Sequence, residues 1–127
     1  MQSATYVRMF ADERGESHFE DISVDLLPVD FAPPAAPLNI ASFKAASQSL
    51  WVGIPVGWAG EEPHPAPQRQ VFCIVAGEYE VTVSDGEVRR FVPGDIALLE
   101  DTWGKGHSTR LMTDHDGVIF AVVLGEE

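Results

Sequence analysis

From Gln70 to Leu124 the chain is cut into short strand-like runs by turn residues at nearly even spacing, and this punctuation constrains the fold more than any other feature. Gln70–Ala76 is almost continuously apolar, the pattern of a strand buried on both faces. Tyr79, Val81 and Val83 alternate with Glu80 and Thr82, which gives a strand with one wet face. Asp85-Gly86 is a hairpin signal, because glycine accepts the positive φ of a tight turn. Glu87–Val92 returns, and Pro93-Gly94-Asp95 turns the chain again. Ile96–Leu99 and His107–Leu111 follow, and Val118–Leu124 comes after the turn Asp114-His115-Asp116-Gly117. Short, evenly spaced strands of this kind predict an all-β sandwich or barrel.

The first half agrees in type. Tyr6–Phe10 and His18–Leu26 read as strands joined by the polar turn Asp12-Glu13-Arg14-Gly15. Pro28 to Pro37 holds four of the nine prolines, which cannot donate to a sheet ladder, so an irregular surface connection is expected there. Strand character resumes at Ser49–Ile54, and Ile40–Ser47 is the one weak helix candidate. The 127 residues suit a single domain, with N-terminal strands and a proline-rich arm over 1–50 and a barrel core over 51–124.

Charge narrows the partners. Eight basic and twenty acidic side chains give a formal charge of −12, which repels phosphate backbones and anionic membranes and argues against nucleic-acid or membrane binding. No apolar run approaches the roughly 20 residues of a membrane span, and Met1-Gln2-Ser3-Ala4-Thr5 lacks the features of a secretion signal. A cytoplasmic protein is expected. The single cysteine, Cys73, lies in an apolar run and reads as a small buried hydrophobe.

The candidate site rests on two histidines. His64 opens His64-Pro65-Ala66-Pro67-Gln68-Arg69-Gln70, which leads into the strand after it, and His107 ends the loop that follows Glu100. Each stands beside a strand, with a hairpin between them, so both can converge inside a small barrel. An imidazole ordinarily titrates near neutrality, which suits proton transfer, and its nitrogen also ligates transition metals.

These blocks resemble the cupin superfamily, specifically its small single-domain bacterial members of unassigned reaction, over Trp58 to Arg110. In the first motif, His-x-His-x3-Glu-x6-Gly, His64 takes the first histidine, Ala66 replaces the second, Gln70 stands for the glutamate and Gly77 is in register. In the second, Gly94 opens the motif, Glu100 occupies its proline position and His107 arrives two residues late. The resemblance implies a cupin-type β-barrel (double-stranded β-helix, or jelly roll) with a small-molecule ligand in its cavity. It also implies pairing into a homodimer through the early strands.

Two chemistries follow from the resemblance. Metal-holding cupins use three imidazoles and a carboxylate, so His64, Gln70 and His107 are the metal-ligand candidates here, for a divalent transition metal such as Fe, Zn, Ni or Mn. The family's sugar-nucleotide epimerases work instead by acid/base chemistry without metal. On that pattern His64 and His107 transfer protons, Glu100 or Asp101 orients an imidazole, and Lys105 between Gly104 and Gly106 meets an anionic substrate. Isomerase- or lyase-type proton transfer leads, with a metal-dependent oxygenase and a non-catalytic binding or sensory module as alternatives.

The other candidates have plainer explanations. His18 reads as a core or interface histidine and His115 as an exposed turn residue. Arg69 should point opposite to Gln70, toward the barrel exterior. Arg89 and Arg90 read as surface charges. Trp51, Trp58, Trp103, Phe72 and Phe120 are candidates for the cavity mouth, although packing explains each alone.

Overall fold

The computed structural model describes residues 1–125, and among them every regular element is a strand. In chain order these are β1 (Gln2–Ala11), β2 (Ser17–Val29), β3 (Leu38–Ile40), β4 (Ala46–Ile54), β5 (Gln70–Ala76), β6 (Tyr79–Val83), β7 (Val88–Phe91), β8 (Ile96–Glu100), β9 (His107–Leu111) and β10 (Gly117–Leu124). The all-β architecture is the one the turn punctuation predicts. The helix expected at Ile40–Ser47 is not formed: its C-terminal part enters β4, whose Ala46–Ile54 segment pairs with β10. Propensity over so short a stretch yields to a ladder along a neighbouring strand.

Two sheets face each other. The larger has the order β3-β2-β1-β8-β5-β10-β4, and the smaller has the order β7-β6-β9. Within the larger sheet β1 runs parallel to β8, with Val7 opposite Ala97 and Met9 opposite Leu99. The other paired strands of both sheets run antiparallel. Strand alternation then sorts the side chains. Met9, Ile74, Ala97, Leu99 and Ile119 of the larger sheet meet Tyr79, Val81, Val83 and Phe91 of the smaller one in the main core. The opposite face of the larger sheet carries a second cluster built on Val71, Leu98 and Leu124, with Cys73 half-buried at its edge.

β2 outlasts its expected end. Its ladder with β1 stops at Leu26, and Leu27–Val29 pair outward with β3, so the ring of Pro28 interrupts no bond to β1. The irregular connection is confined to 30–37, all exposed. No helix among the described residues is long and apolar enough to cross a membrane.

Candidate functional site

The connection from β4 to β5 brings His64 back across the start of β9. The two histidines exchange both main-chain bonds, His64 N–H to His107 O and His107 N–H to His64 O, each 3.0 Å. Two residues on, the Ala66 N–H donates to the Asp101 carbonyl at 3.0 Å. A glycine at 106 makes the approach possible: its φ is +69°, and a Cβ there would collide with the main chain of His64 and Pro65.

This seam places both imidazoles on one cavity of about 280 Å3 between the sheets. His107 is buried and His64 is exposed at the rim, with ring centroids 5.4 Å apart. Gln70, also buried, lies on the wall, as do Phe72, Tyr79 and Thr109, and Trp58 stands at the mouth. A smaller hollow of about 40 Å3 shares the His107 wall and is otherwise lined by apolar groups such as Met9, Ile74 and Phe91, with Thr109.

Behind His107 lies Asp101, whose side chain is 0% exposed. Its Oδ2 meets Nδ1 of His107 at 2.5 Å, while its Oδ1 is buried without a hydrogen-bond partner. The contact assigns the ring's tautomer: Nδ1–H donates to the carboxylate, leaving Nε2 as the other ring nitrogen. The His64 Nδ1 engages the Glu62 carbonyl at 3.1 Å, which assigns that ring in the same way.

The other proposed acid/base residues lie elsewhere. Glu100 follows Leu99 on β8 and so faces outward, where Oε1 meets Arg8 Nε at 2.6 Å and Oε2 meets Arg69 Nε at 2.8 Å. Burial alone would raise its pKa, but the hydrogen bonds and charges of Arg8 and Arg69 outweigh that and hold the carboxyl below its usual value. Lys105 is exposed and pairs with Glu16 at 2.8 Å on the outside. The glycines beside it admit other main chains instead of a substrate: a Cβ on Gly104 would collide with Gly15, as one on Gly106 would with His64. Neither Glu100 nor Lys105 lines the cavity. The physical reason is alternation for the first and a loop packed against the Gly15 turn for the second.

Trp58 and Phe72 line the cavity, whereas Trp51 stacks edge-on against Phe120 on the outer face at 4.8 Å, and Trp103 packs by Gly15. Arg69 points outward beside inward Gln70. His18 is held at the surface between Asp12 at 2.8 Å and Asp85 at 2.7 Å, and His115 is exposed. Thr109, Tyr79 and Leu99 were not singled out from the sequence. Period-two alternation from His107 would have pointed to Thr109, but the other two need the facing of the sheets.

No protein-family model matches the sequence, and no curated protein sequence does. Among solved structures, the cupin domain of Schizosaccharomyces pombe Cnp3 superposes with a TM-score of 0.52 at 16% identity, covering 98% of this chain and 84% of that one. The chain has a cupin fold. At that identity the likeness carries the architecture and no reaction.

Whether this cupin site suits a metal is decided by its donors. Ala66, at the place of the second imidazole, is buried and offers none. Asp101, the nearby buried carboxylate, is committed to Nδ1 of His107. Among the described residues no group of three or more His, Cys, Asp or Glu side chains is placed to hold an ion. Two imidazoles, one of them at the rim, and a neutral amide leave a divalent charge uncompensated. These residues do not fit a firmly held transition metal.

Proposed function

We propose that this cupin domain binds a small molecule in the cavity between its sheets and moves a proton on it with His107. The observation that carries this reading is the buried Asp101 on Nδ1 of His107, in a ring that lines the cavity. An imidazole braced in this way keeps Nε2 free to accept a proton, and the carboxylate stabilises the imidazolium that results. In the step envisaged, a C–H bond beside a carbonyl breaks, its electron pair delocalises onto the carbonyl oxygen, and the proton goes to Nε2. Returning that proton to the same or a neighbouring carbon completes exchange or isomerisation. His64, with its ring 5.4 Å from that of His107, supplies a second proton-transfer group at the rim.

The test uses 4-phenylbutan-2-one as a probe carbon acid. Deuterium uptake at its α-carbons in heavy water, followed by NMR, should exceed the buffer rate by about 10²-fold with the wild-type chain. It should fall to background in His107→Gln. Uptake that is unaffected by His107→Gln would refute the reading.

A binding module without turnover is the second reading, favoured by the largely apolar lining of the cavity. It predicts thermal stabilisation by a ligand that is left unchanged. Pairing of two copies remains part of the proposal, supported by the exposed Leu27, Val29, Phe31 and Leu38 around the β2–β3 arm. Sedimentation velocity reads the mass directly.

A further inference from the structure

We infer that the molecule taken by this cavity is uncharged and mainly hydrocarbon, with one carbonyl or hydroxyl as its polar handle. The inference rests on the cavity being the binding site and names the class of molecule it takes. None of the residues lining the cavity of about 280 Å3 is Lys, Arg, Asp or Glu. The cations on the adjoining strands face the other way: Arg8 and Arg69 meet Glu100 outside, and Arg110 lies near Glu80. Lys105 is likewise outside, on Glu16.

A carboxylate or phosphate entering this space would lose its hydration with no Lys or Arg on the wall to pair with, a cost of several kcal/mol. The chain's −12 charge adds a long-range repulsion of anions. A cation would find no carboxylate on the wall, since Asp101 lies behind His107.

The polar residues on the wall are few. The Gln70 side chain, the Thr109 hydroxyl and the imidazole of His107 share one cavity with Phe72, Tyr79 and Ile119. The smaller hollow past His107 adds Met9, Val81 and Phe91. An apolar or aromatic end is therefore placed against Phe72, Leu99 and Ile119 of the larger cavity. The single oxygen-bearing group then stays level with Gln70, which offers both a donor and an acceptor. A pocket that is mostly apolar with a few convergent polar groups is the common form of a small-molecule site.

The test compares three probes of nearly one shape on the full chain by titration calorimetry: neutral 4-phenylbutan-2-one, anionic 3-phenylpropanoate and cationic 3-phenylpropylammonium. The ketone should bind, and each ion should bind at least about tenfold more weakly, a gap of about 1.4 kcal/mol. Gln70→Leu should weaken the ketone by a similar factor, with folding checked by its melting temperature. Equal or tighter binding of either ion, or no ketone binding at about 5 mM, overturns the inference. Deuterium uptake is read separately. A ketone that binds selectively yet exchanges no α-proton would therefore sink the proton-transfer reading and leave this one standing.

Discussion

Gly106 sits directly beneath the main chain of His64, so close that a single added carbon would strike it. The backbone conformation of one residue thus controls where an imidazole forty-two positions earlier can lie. Gly106 comes just before His107, so the same turn presents both rings to one cavity.

Gly106→Ala should therefore cost stability and function together. A β-carbon at φ +69° is strained and collides with the seam, for an expected loss of about 2–4 kcal/mol in urea unfolding. His64→Ala, which leaves the two main-chain bonds in place and removes only a rim side chain, should stay within about 1 kcal/mol of wild type.

Asp101→Asn separates orientation from binding. The amide cannot stabilise an imidazolium as a carboxylate does, so deuterium uptake by the ketone should drop by about 10²-fold. Affinity for the same ketone, measured by calorimetry, should change by less than about threefold. An unchanged exchange rate would remove Asp101 from the mechanism.

Glu100→Gln should leave exchange and ligand affinity as they are, because the carboxylate lies on the outer face between Arg8 and Arg69. Stability should fall by about 1–2 kcal/mol, since the two guanidinium groups lose a half-buried partner. The carboxyl's pKa is depressed in the fold. Its contribution is therefore present above the unfolded carboxylate value and is lost as pH falls through the folded one. The difference between wild type and variant should shrink below about pH 4.

His18 provides the opposite sign. The hydrogen bond to Asp12, then that to Asp85, outweigh desolvation and raise the pKa of the ring. Its stabilisation is full below the unfolded histidine value of about 6.5 and is lost as pH rises through the higher folded value. Urea midpoints of His18→Asn should lie furthest below wild type near pH 5.5 and converge with it by about pH 9. Parallel curves across that range would dissociate the ring's charge from stability.

Much of the barrel was legible because strands announce themselves locally. Gln70–Ala76, Tyr79–Val83 and His107–Leu111 coincide with β5, β6 and β9, and Asp85-Gly86 marks the turn between β6 and β7. His64, Gln70 and His107, which the motif resemblance singles out, border one pocket in the fold. Glu100 and Asp101 show where this stops. They are adjacent and chemically alike, and nothing in the string says that one faces Arg8 and the other His107.

Composition and turn spacing were enough for an all-β chain, since alternation and glycine punctuation are properties of neighbouring residues. Which carboxylate braces which imidazole, and that no Lys, Arg, Asp or Glu lines the cavity, were decided only by the packing of two sheets and the return of His64 across β9. Those relations join residues far apart in the chain, and their register is set by hydrogen bonds and close contacts that no local pattern encodes.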